Sequence, residues 1–97
     1  MYVGTLRLWL TVHAATSLKD RRRSVQSLIH RLRNELHVAV ADLDEDPTPD
    51  AAVIGIVCVS NSPQVADAQL RRAVDFVESV HLDLEVTHEA IEIVRVG

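Results

Sequence analysis

One cysteine, three glycines, three prolines and three aromatic residues are spread over 97 positions. The lone Cys58 cannot close an internal disulfide, which excludes a disulfide-stapled secreted scaffold. It lies in the apolar run 51–59, where a small buried hydrophobe in a reducing compartment is expected, so the protein reads as cytoplasmic. That run is the longest apolar stretch, and it is too short to cross a bilayer, so no membrane partner is expected. The N-terminal residues lack the basic-then-apolar order of a signal peptide. Gly4, Gly55 and Gly97 stand alone, which excludes a glycine-rich phosphate loop. The aromatics are Tyr2, Trp9 and Phe76, and none falls in the apolar run 51–59. An RNA-recognition sheet would stack bases on aromatics there, so that mode of RNA binding is not expected.

Catalytic and metal-binding patterns are missing too. His13, His30, His37, His81 and His88 show no metal spacing, and Cys58 has no second cysteine beside it. No nucleophile, base and orienting group can be named together, and Ser60, Asn61 and Ser62 read as a turn and helix cap. Asp42, Asp44, Asp46 and Asp50 have the spacing of the first carboxylates of a calcium loop. Pro47 stands where that loop needs glycine and Val53 where it needs a bidentate glutamate, so a solvated hairpin loop is the better account. No cofactor and no metal are expected, and the chain reads as non-enzymatic.

What is present is patterning. Hydrophobic residues make up 47% and charged residues 25%, too apolar for disorder. Residues 2–13 alternate, with Leu6, Leu8, Leu10 and Val12 on one side and Trp9 on the other, the period of a half-buried strand. Residues 18–34 switch to helical period, with Leu18, Val25, Leu28, Ile29 and Leu32 on one face. Ser17 is the expected N-cap, with Asp20 as a short capping box. Residues 36–43 read as strand, 44–50 as loop and 51–60 as a third strand. Ser62 then caps a helix that starts at Pro63, and residues 84–96 make a last strand. The order β-α-β-β-α-β predicts a single α+β domain over 1–97. It is a ferredoxin-like two-layer sandwich, with a four-stranded antiparallel sheet and two helices on one face.

The third strand is apolar on both parities: Val53, Val57 and Val59 on one, Ile54, Ile56 and Cys58 on the other. A strand of this kind usually has both sides covered. Together with an outward Trp9, this predicts a homodimer interface that includes Trp9, Val53 and Val57.

Charge is unevenly placed. The net charge is −4, yet six of the ten Lys and Arg residues lie within 19–33. Four of them, Lys19, Arg21, Arg22 and Arg23, crowd the first helical turns, where the helix dipole disfavours cations by about 0.3–1 kcal/mol each. Arg21 points almost with the apolar stripe, so its head must find a carboxylate or a sheet end. Lys19, Arg23 and His30 align on the face opposite the apolar stripe, with Gln26 and Arg33 close by and Arg22 on the flank. Lys19, Arg22, Arg23, Arg31 and Arg33 are the candidate nucleic-acid or anion contacts.

The segment 17–22, with the strand before it, resembles the YlxP-like family of small bacterial proteins of unknown function. The likeness continues through 34–41, Ile54-Gly55, Ser60-Asn61 and Ile91-Glu92-Ile93. Departures fall at Asp42, where the family pattern has glutamate, and at Pro47-Thr48-Pro49, which replaces an aromatic-containing turn. The resemblance implies a ferredoxin-like fold. Family genes often neighbour translation-initiation and ribosome-maturation genes, which implies a ribosome- or RNA-linked role. Three readings follow: a ribosome- or RNA-associated factor, a structural homodimer without a nucleic-acid partner, and a small-anion-binding or enzymatic domain.

Overall fold

The computed structural model describes residues 1–80 and 83–97. The expectation that His81 is no metal ligand therefore lies outside the described residues. The elements are β1 (Tyr2–Val12), α1 (Leu18–Glu35), β2 (Ala39–Asp42), β3 (Ala51–Ser60), α2 (Pro63–Val80) and β4 (Leu84–Arg95). The four strands form one sheet in the order β2-β3-β1-β4, every neighbouring pair antiparallel. This is the α+β ferredoxin-like arrangement that the β-α-β-β-α-β order predicts.

The alternation in β1 sends Leu6, Leu8, Leu10 and Val12 under the helices. Ala52, Ile54, Ile56 and Cys58 of β3 join them, so this parity faces the helices and Val53, Val57 and Val59 face away. The α1 stripe of Val25, Leu28, Ile29 and Leu32 and the α2 stripe of Ala66, Leu70, Ala73, Val74 and Val77 close the same core. Each fully buried Leu or Ile contributes about 1.5–3 kcal/mol, so this layer contact supplies most of the stability. Leu18, placed in the α1 stripe by its spacing, is instead 51% exposed, and the buried stripe starts with the stem of Arg21 and Val25.

Both helices start at the expected caps. The Ser17 hydroxyl accepts the Asp20 N–H at 3.1 Å, and the Ser62 hydroxyl accepts the Val65 N–H at 3.3 Å. The capping box is different from the expected one. The Asp20 carboxylate reaches back to the Thr16 N–H (3.3 Å) and hydroxyl (3.0 Å), one residue before the cap.

The second strand is shorter than its apolar run suggests. Residues 36–38 are a connector: the Leu36 N–H ends α1 by donating to the Leu32 carbonyl, and the Val38 N–H donates back to Leu36. Pairing with β3 therefore starts only at Ala39.

Candidate nucleic-acid interface and the open sheet face

The basic segment folds into α1, and α1 divides its cations into two groups. Arg21 is 4% exposed. Its stem packs at the sheet edge and its guanidinium donates to the Ala51 carbonyl at 2.8 Å, to Asp42 Oδ2 at 3.1 Å, and to the Asp44 carboxylate. Burial lowers the Arg21 pKa, but hydrogen bonds and charge from Asp42 and Asp44 outweigh that and raise it above its ordinary value. Arg33 is also engaged: its guanidinium donates to the Val40 carbonyl of β2 at 2.6 Å.

Lys19, Arg22, Arg23 and Arg31 are exposed, and none joins an ion pair among the described residues. At about 100° per residue, Lys19 lies one turn from both Arg22 and Arg23, so these three share one surface. Arg31 lies about 180° around the axis from Arg22, on the opposite flank. The helix thus brings three of the five candidate contacts together. It leaves Arg31 apart and gives Arg33 to the edge strand. His30 and Asn34 continue the solvent ridge and meet at 3.0 Å.

The acidic loop is only partly the solvated hairpin expected of it. Asp42 and Asp44 turn to Arg21, and Asp44 also accepts the Val53 N–H at 3.1 Å. Glu45 and Asp46 stay exposed. The carboxylates a calcium loop would use first are therefore committed to a guanidinium.

The other surface is the sheet face turned away from the helices. Its rows run across β3, β1 and β4: Val59–Val3–Val94, Val57–Thr5–Glu92, Gly55–Arg7–Ala90 and Val53–Trp9–His88. Trp9, Val53 and Val57, the candidate dimer residues, all lie on it. Ala39 and Ala41 of β2 continue the second and third rows. The small residues of the third row floor an open groove of about 550 Å³. Leu43 leans over Gly55, where a Cβ would stand 2.8 Å from it. The Trp9 and His88 rings lie 4.8 Å apart, tilted by 50°, and Arg7 lies 5.7 Å from the Trp9 ring centre.

The family model described as "Protein of unknown function (DUF503)" matches residues 3–91. The chain belongs to this family. It is similar to the "Uncharacterized protein YlxP" of Bacillus subtilis (strain 168), at 26% identity over 77 residues, 79% of this chain and 84% of that protein. Both findings agree with the YlxP-like resemblance. Among solved structures, the "De novo designed protein Foldit4" aligns over 100% of both chains with a TM-score of 0.53 and 9% identity, a likeness of fold alone.

In this DUF503 chain no described helix is long and apolar enough to cross a membrane. Among the described residues there is no group of three or more metal-ligating side chains. One site feature escaped sequence reasoning. The register between β1 and β4 shifts between Trp9 and Leu10, and the Thr87 hydroxyl donates to the Trp9 carbonyl at 3.1 Å there. The signal was a change of parity in β4: Val86 is even-numbered, Ile91 and Ile93 odd, and all three pack on the core. That bulge sets Val86 opposite Leu10, on the core side, just past the Trp9–His88 pair.

Proposed function

We propose that this protein is a non-enzymatic cytoplasmic factor that docks on RNA through α1, the ribosome being the assembly to which the family resemblance points. Lys19, Arg22 and Arg23 contact phosphates; Arg31 serves a neighbouring strand on the other flank. The observation that carries this reading is the division of cations on one helix. Arg21 and Arg33 are taken up by the fold, while Lys19, Arg22, Arg23 and Arg31 are held in solvent without ion pairs among the described residues. Clustered cations that join no ion pair among the described residues, in a protein of net charge −4, make a local positive field on an acidic body, suited to a polyanion.

Such contacts position without reading sequence. The test is binding of purified ribosomes and of unrelated RNAs over a salt series. Alanine at Lys19, Arg22 and Arg23 together should weaken every RNA alike and flatten the slope of log affinity against log salt by about 0.7–0.9 per lost contact. Binding equal to wild type overturns the reading.

A further inference from the structure

We propose that two copies of this chain pack through their open sheet faces, about a two-fold axis perpendicular to the strands, with Arg7 of each copy paired to Glu92 of the other. This stands apart from the RNA reading, because α1 lies on the opposite side of the sheet.

The face is apolar at both ends and charged in the middle. Val59 and Val94 of the first row are 59% and 41% exposed. The fourth row carries Trp9, half-buried between Val53 and His88. Between them Arg7 and Glu92 sit on adjacent rows, both exposed, and neither forms an ion pair among the described residues. They are the two charged groups of the two central rows, of opposite sign, two residues apart along the sheet. A surface with one unpaired charge of each sign beside its centre is self-complementary under a two-fold operation.

That operation is not arbitrary. An axis along the strands and centred on β1 lays each row on itself and places Arg7 against Arg7. An axis across the strands at the level of Leu6 reverses the rows. The Arg7 row then meets the Glu92 row twice, and the valine row meets the Trp9 row twice. Like-charge contact is avoided and both apolar ends are covered. The groove floored by Gly55 and Ala90 gives the facing side chains room to enter. Three long strands at about 3.4 Å per residue and 4.8 Å spacing, with the short β2, offer about 500–600 Å² a side. The total of about 1,000–1,200 Å² is at the lower end of a specific interface, so a dimer in the micromolar range is expected.

The test is sedimentation equilibrium on wild type, Arg7→Glu, Glu92→Arg and the double reversal. The wild type should dimerise, each single reversal should weaken the dimer by about tenfold or more, and the double reversal should restore it. Should a reversal disturb folding, Arg7→Gln and Glu92→Gln must show the same loss with a native circular-dichroism spectrum. A wild type that is monomeric at high micromolar concentration, with or without a copurified ligand in its native mass spectrum, overturns the proposal. So does a single reversal that dimerises normally, or a double reversal that stays monomeric.

Discussion

Arg21 and Asp42, 21 positions apart, meet at 3.1 Å and tie the start of α1 to the end of β2. The guanidinium is almost fully buried while the carboxylate keeps 27% of its side chain in water. Asp44 adds a second carboxylate and the Ala51 carbonyl a third acceptor, so the planar fork finds partners on several sides. The pair closes the hairpin loop between β2 and β3 onto the helix.

Replacing Arg21 should therefore cost stability. Arg21→Ala strands two carboxylates beside a vacated slot and should lower the unfolding free energy by about 2–4 kcal/mol, below a fully buried pair because water still reaches both acids. Arg21→Lys should recover only part of this, since an ammonium cannot span the same acceptors. Urea titration of both variants checks the order. An Arg21→Ala protein as stable as wild type would show that the clamp is energetically idle.

Acid should weaken the start of α1. The Asp20 carboxyl is held below its ordinary pKa, chiefly by the Thr16 N–H and then by the Thr16 hydroxyl. Its folded pKa is thus below its unfolded one. The stabilisation is fully present above the ordinary carboxylate pKa and is lost as pH falls through the lower, folded value. Asp20→Asn should remove this part of the acid limb while keeping an acceptor for Thr16. Thermal melts from neutral pH to pH 2 should show a smaller acid loss in the variant; identical profiles would exclude Asp20 as a contributor.

Gly4 marks a close approach of α2 to the sheet. A Cβ there would lie 3.0 Å from both Cys58 Sγ and Leu70 Cδ1. Both neighbours are buried, so neither can swing into solvent. Gly4→Ala should overpack the core and cost about 1–3 kcal/mol, less the small gain from a stiffer unfolded chain. In a domain of this size that lowers Tm by several degrees. An unchanged or raised Tm would mean that α2 shifts freely over β1.

Much of the fold was legible because local periodicity and burial agree. The alternation of Leu6, Leu8, Leu10 and Val12 needs one covered face, the stripes of α1 and α2 need another, and Ser17, Ser62 and Pro63 mark where the helices start. Those are properties of residues near one another in the chain, so they can be read without knowing any tertiary contact. Even the inward stem of Arg21 followed from its angle on the helix. Tertiary structure decided the rest. The third strand is apolar on both parities, so only pairing with β1 and the cover of two helices could select Ile54, Ile56 and Cys58 as the inner set. The run at 36–38 has strand propensity but no strand partner, and it became a connector. The fates of Asp42, Asp44 and Arg33 hung on groups 7 to 23 residues away. Charge alone cannot distinguish a solvated side chain from a paired one, because both look the same until the chain brings the partner within reach.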